Sequence, residues 1–225
     1  MPSLDVLCDL DETIRSRSIL RHPFYQAWEQ GVLTRAQLAT YARIYYPHVH
    51  AFPGYLESVI RHADDPDIRA ELAHNLADER ENPAAHDELW LDFAEHLGLN
   101  RHDVTSSRRH PAAEAIVATY EALTSESLPT GLAALYAYES QQPEVAQTKV
   151  DGLRAHYDIC APFALAYFEV HKTTDVRHRQ GERDALAACI ESGTQADVVT
   201  GATERALVAY WRLLDGVCAE TGLPS

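Results

Sequence analysis

The chain has 225 residues, 46% of them apolar and 24% charged, which is ordinary composition for a globular protein with a full core. Its formal net charge of −15 would repel a polyphosphate chain or an anionic lipid surface, so neither nucleic acid nor a membrane is an expected partner. No apolar run approaches the roughly 20 residues that span a bilayer. The acidic N-terminus lacks the basic region of a signal peptide, which leads us to expect a cytoplasmic protein.

In chain order, almost every segment reads as helix. The pattern predicts helices near 4–20, 22–31, 34–61, 66–80, 83–97, 111–125, 129–157, 162–191 and 202–220, and one all-α domain over 1–225. Thr34 with Gln37 forms a capping box. Asp65-Pro66 and Asn82-Pro83 each place a cap residue before a proline suited to the first helical position, and Gly98 follows a helix end. Pro47 and Pro53 are expected to kink the third helix and Pro143 the seventh. The stretch 193–201 reads as a loop. No alternating β-branched run suggests a strand. Cys8, Cys160, Cys189 and Cys218 form no CxxC pair and read as reduced thiols, in the plain view small buried hydrophobes.

The chemistry concentrates in three segments. His171, Asp175 and His178 stand at i, i+4 and i+7, one face of a helix. The two histidines are then about 10 Å apart along the axis, and cooperating metal ions sit about 4 Å apart, so the row can face one ion or two. Glu79 and His86 are also seven apart, with Asn82-Pro83 between them as a possible helix break. Glu79 lies in the charge run Asp78-Glu79-Arg80-Glu81, where Glu81 competes for any ligand role. Glu139 sits in the apolar, aromatic stretch Leu-Tyr-Ala-Tyr-Glu-Ser, where a lone ionised carboxylate is costly unless paired or bound to a metal. Together these are three carboxylates and three histidines, the donor types that helical bundles use for di-iron and di-manganese centres. Twelve histidines make some one-face pairings a matter of chance, so the case rests on the combination. His48 and His50, at i and i+2, face apart and are left out of the metal shell.

Tyrosines 25, 41, 45, 46, 55, 136 and 138 crowd the early and central helices, in the plain view as core packing with rim hydroxyls. Lys149 and Lys172 are the chain's lysines, where arginine serves almost everywhere else. A buried amine can lose its proton and act as a nucleophile, and a guanidinium effectively cannot.

These stretches resemble the CADD-like family, on the haem-oxygenase-like, TenA/PqqC-type helical bundle. The resemblance is carried by His-Pro-Phe-Tyr-Gln-Ala-Trp at 22–28, Tyr-Tyr-Pro-His-Val-His-Ala-Phe-Pro-Gly-Tyr-Leu at 45–56 and Leu-Ala-Asp-Glu at 76–79. It continues through His86 with Trp90 and Phe93, Ala-Leu-Tyr-Ala-Tyr-Glu-Ser-Gln at 134–141 and His-Lys-Thr-Thr-Asp-Val-Arg-His at 171–178. The turn at 80–85 departs from the family's glycine-containing form. The resemblance implies a non-haem dinuclear iron, or iron–manganese, oxygenase with O₂ as co-substrate, an external reductant and a homodimeric assembly. It implies the ligands Glu79, His86, Glu139, His171, Asp175 and His178. It also implies para-aminobenzoate synthesis for folate, in which the protein consumes its own Tyr25 as ring source and Lys149 as amine source, with Tyr41 beside them. The competing expectations are an oxidase of the same fold acting on an external fatty acid or amino acid, a thiamin hydrolase with a cysteine nucleophile, and a metal-free binding scaffold.

Overall fold

The computed structural model describes residues 2–106 and 110–224. Among the described residues every regular element is a helix. They are α1 (Pro2–Ser16), a 3-10 turn (Ile19–Arg21), α2 (Pro23–Glu29), α3 (Arg35–His62), α4 (Pro66–Glu81) and α5 (His86–His96), then α6 (Arg101–Ser106), α7 (Pro111–Glu126), α8 (Leu128–Glu139), α9 (Gln142–His156), α10 (Pro162–Glu191) and α11 (Ala196–Thr221).

The starts follow the caps read from the sequence. The Thr34 hydroxyl accepts from Gln37 N while the Gln37 side chain accepts from Thr34 N, closing the capping box of α3. The Asp65 carboxylate accepts from Asp67 N and Ile68 N and opens α4 with Pro66 in its first turn. Gly98, just beyond α5, takes φ +97°, a conformation that favours glycine.

Four expectations about the helices need correction. The helix expected over 4–20 ends at Ser16, and the chain then makes the 3-10 turn. Asn82-Pro83 is a C-terminal cap rather than a start, and α5 begins only at His86. The helix expected over 129–157 is two helices. Ser140 and Gln141 end α8, and Pro143 occupies the first turn of α9, where its missing N–H costs no hydrogen bond. The loop expected over 193–201 is shorter, since α11 starts at Ala196, and the short helix α6 was not expected. All four cysteines are free thiols. Cys189 and Cys218 are buried, but Cys8 and Cys160 are exposed.

The long helices pack side by side: α3 against α4, α5 and α7, α11 against α7 and α8, and α10 against α5, α8 and α9. Their facing sides share a contiguous apolar core that includes Phe24, Trp28, Tyr41, Tyr45, Trp90 and Phe168. The helix faces that hold the chemistry, on α4, α5, α8 and α10, therefore meet inside the bundle. Among the described residues no helix is long and apolar enough to cross a membrane.

Candidate metal centre and the tyrosine–lysine cluster

Two compact groups of donor side chains lie within the bundle. Glu79, His86 and His171 form one, and Glu139, Asp175 and His178 the other; within each, the candidate ligand atoms lie within 4.8 Å of one another, and all six residues are buried. The helix row on α10 thus divides, His171 facing α4 and α5, Asp175 and His178 facing α8. In the run 78–81, Glu79 is buried and Glu81 is exposed, which separates the two competitors. The break at Asn82-Pro83 does not keep His86 from Glu79: His86 Nδ1 stands 3.0 Å from Glu79 Oε2.

The histidine tautomers follow from the groups behind them. His86 Nε2 donates to the Asn82 carbonyl (3.2 Å), His171 Nδ1 to the Tyr167 carbonyl (2.6 Å) and His178 Nε2 to Asp78 Oδ2 (3.0 Å). Each imidazole then turns its other nitrogen, a lone pair, toward the carboxylates. His171 Nε2 is 3.8 Å from Glu79 Oε1, and His178 Nδ1 is 3.3 Å from Glu139 Oε1 and 3.5 Å from Asp175 Oδ1. His86 Nδ1, His178 Nδ1 and Asp175 Oδ2 are buried without a hydrogen-bond partner. Ligating histidines in metalloproteins are held this way, with the remote N–H on a carbonyl or carboxylate. Asp78 is itself braced by Arg177 at 2.5 Å, and Asn75 Nδ2 donates to both oxygens of Glu139 at 3.0 and 3.1 Å. Three imidazoles and three carboxylates in two adjacent groups fit a pair of first-row transition ions, iron or manganese among them.

Protons compete for the same lone pairs. Burial by itself would lower the pKa of His171, but Asp175 and Glu79 outweigh it and push it up to about 9. Burial is likewise overcome at His178, which Asp175 and Glu139 push up to about 11. Glu79, despite burial, is held well below the usual carboxylate range by His86 and His171.

Beside the donor groups lies an aromatic box around one amine. Lys149 is fully buried, and its Nζ stands 5.2 Å from the centre of the Tyr25 ring, 5.5 Å from Tyr41, 5.3 Å from Tyr45 and Phe168, and 5.8 Å from Trp90. Desolvation lowers its pKa to about 7, while the ring faces attract its charged form. Tyr25 Oη and Tyr41 Oη are hydrogen-bonded at 3.0 Å. Burial pushes both phenols well above their ordinary pKa, so they are neutral. The box and the donor groups share a wall. Trp90 packs on Tyr167 at 4.8 Å between ring centres, and Tyr167 packs on His171 at 4.2 Å.

The break between α8 and α9 explains how Lys149 enters the box. On one straight helix it would lie about 15 Å beyond Glu139; the new helix redirects it, and Gly152 lets α9 approach Trp28, whose indole N–H donates to the Lys149 carbonyl at 3.3 Å. His48 belongs to neither donor group. It is buried among Tyr55, Tyr120 and Tyr138, and burial lowers its pKa to about 3. His50 is exposed and pairs with Asp87 at 2.8 Å. Reasoning from sequence missed Asp78, Asn75, Tyr167 and Glu182. The signal for Glu182 was present: it follows His178 by four residues and continues the same helical stripe.

Residues 39–210 match the model of a family described as iron-containing redox enzymes. The chain is 38% identical over 218 residues to a 4-aminobenzoate synthase of Nitrosomonas europaea, covering 92% of this chain and 89% of that protein. It is also 38% identical over 214 residues to a 4-aminobenzoate synthase of Chlamydia muridarum, covering 95% and 90%. In fold it resembles a TenA homologue of Pseudomonas syringae, with a TM-score of 0.82 at 16% identity over 95% of this chain and 91% of that one. With its donor groups set inside a haem-oxygenase-like bundle, the chain belongs to the family of iron-containing redox enzymes and is a relative of the 4-aminobenzoate synthases.

Proposed function

We propose that the chain makes para-aminobenzoate with a dinuclear iron, or iron–manganese, centre that uses O₂ and an external reductant, and that it draws the ring from Tyr25 and the nitrogen from Lys149. Glu79, His86 and His171 would hold one ion, and Glu139, Asp175 and His178 the other. When bound, redox-active ions supply the oxidising power that cleaving a phenol side chain from its backbone demands. The protein's own residues supply the rest. The aromatic box keeps water from Lys149, and a pKa of about 7 leaves much of the amine unprotonated and nucleophilic near neutral pH. Tyr41 orients the Tyr25 hydroxyl through the 3.0 Å hydrogen bond.

The observation that carries this reading is the 5.2 Å approach of Lys149 Nζ to the Tyr25 ring in a buried box that contacts the donor groups through Trp90 and Tyr167. The names of the Nitrosomonas and Chlamydia relatives support the product. The test is to supply purified protein with Fe(II), a reductant and O₂, and to measure para-aminobenzoate against moles of chain. The wild type is expected to yield at most one product per chain, and Tyr25→Phe and Lys149→Arg none. Product rising over many turnovers when free tyrosine or another small molecule is added would make the chain a conventional enzyme instead.

A further inference from the structure

Glu182 lies on α10 four residues after His178 and eleven after His171, on the face that carries the donor row. It is 2% exposed, and neither of its oxygens accepts a hydrogen bond. None of the side chains that line the small cavity beside it donates to it. Ile68, Leu72 and Ala185 are apolar, and the nearby Asn75 Nδ2 is committed to Glu139. The neighbouring Arg183 turns to Asp11 at 3.1 Å. Yet the Glu182 carboxyl lies against that of Glu139 and within the field of Asp175. A carboxylate buried among carboxylates with no N–H to receive needs either a proton or a cation.

Charge balance selects the cation. Arg177 neutralises Asp78. The three imidazoles that face the centre are neutral when they ligate. Glu79, Glu139 and Asp175 then bring three negative charges to two divalent ions, leaving one positive charge uncompensated in a dry core. Glu182 supplies the fourth negative charge. Four carboxylates to two divalent ions is also the complement of the ferritin-like di-iron bundles, built there from two lone glutamates and two carboxylate–histidine pairs spaced i, i+3. Asp175 and His178 have that spacing here.

We propose that Glu182 is a fourth carboxylate donor of the centre, joining Glu139, Asp175 and His178 on the second ion. This rests on the two-ion reading above and adds a ligand to it. The carboxylate is ionised when the ion is bound, so that its charge completes the balance of the centre.

The test is anaerobic titration of the metal-free protein with cobalt(II) in competition with a chelating indicator, read also by the d–d absorption of the bound ions. The wild type should take up two ions. Glu182→Gln introduces an N–H able to bond Glu139 but loses the charge and the strong oxygen donor. It should bind the second ion at least tenfold more weakly, with altered d–d intensity. Glu182→His should restore the second ion with bands shifted to shorter wavelength, as a nitrogen donor requires; should the glutamine variant fail to fold, these band positions decide. If Glu182→Gln takes two ions with wild-type affinity and spectrum, or Glu182→His leaves the bands unmoved, Glu182 is not a ligand. A wild type that fails to take two ions overturns the two-ion reading, and this inference with it.

Discussion

Lys149 Nζ sits 5.2 Å from the centre of the Tyr25 ring, inside a box of aromatic faces. A lysine here is expensive in its charged form. Its pKa falls from 10.5 to about 7, so between those values the unfolded chain binds more protons than the folded one. Stability therefore rises with pH across that window, and the penalty is fully present below pH 7. Lys149→Met removes the penalty. The variant should be more stable than the wild type by about 4 kcal/mol at pH 6, before any offset from the ring faces, with the gap closing toward pH 10. Denaturant melts at several pH values check this; a gap that does not depend on pH would mean that Lys149 is not titrating in the box.

The donor groups predict a metal stoichiometry. His171→Ala leaves Glu79 with His86 alone, and Glu139→Ala strips the second group of a carboxylate and frees Asn75. Protein purified from iron-supplemented cells should carry up to two ions per chain, falling to about one or fewer in either variant. Full occupancy in both would remove these residues from the ligand set.

Asp78 should act through His178. Its carboxylate accepts the Nε2 proton at 3.0 Å and so keeps the Nδ1 lone pair turned toward Glu139 and Asp175. Asp78→Asn should weaken binding of the second ion by about 10- to 100-fold and leave the first nearly unchanged. Chelator competition resolves the two affinities, and an equal loss at both sites would point to a general structural effect.

Gly152 sets the contact between α2 and α9. A methyl group there would stand 2.7 Å from Cδ1 of the Trp28 ring, which is packed and cannot yield freely. Gly152→Ala should cost about 1–3 kcal/mol of stability and displace Trp28 from the Lys149 carbonyl. Unchanged intrinsic fluorescence with an unaltered melting temperature would show that the helices accommodate the methyl group.

The helical plan was legible, and among the candidate donors Glu139, His171, Asp175 and His178 lie on a periodic face or in a stretch otherwise apolar, whereas Glu79 and His86 rested on their spacing and on the family resemblance. Glu139 stands out as a charge amid Leu, Ala and Tyr, and His171, Asp175 and His178 share one stripe. Asp78 was not legible, because a run of four charged residues reads as solvated until the helix is seen to turn two of them inward. Glu182 is hidden by its polar neighbours Gln180, Arg183 and Asp184, which make the continuation of the stripe beyond His178 look like a solvated face. The end of α8 at Ser140 was hidden by the apolar periodicity that continues on either side of it; Pro143 marked the place, but as a first-turn proline of a new helix rather than a kink. The aromatic box is a tertiary fact. Tyr25, Tyr41, Trp90, Lys149 and Phe168 come from five helices, and nothing in their spacing brings them together.

Tyr41 should matter to Tyr25 more than to the fold. Tyr41→Phe removes one hydroxyl partner of Tyr25 at a cost of about 1 kcal/mol, while the ring stays to pack on Phe24 and Trp28. Thermal melts should shift by a few degrees, and product per chain should fall well below that of the wild type. Unchanged product would free the Tyr25 hydroxyl from any need of orientation.

The central claim is that Tyr25 itself becomes the product's ring. Protein expressed with ring-labelled tyrosine, purified, supplied with Fe(II), reductant and O₂, and digested for peptide mass analysis tests it most directly. The account predicts para-aminobenzoate carrying the full ring label, in an amount no greater than the protein present, and a peptide around residue 25 that has lost its phenol in the same proportion. Unlabelled product, or an intact Tyr25 in protein that has made its product, would contradict it.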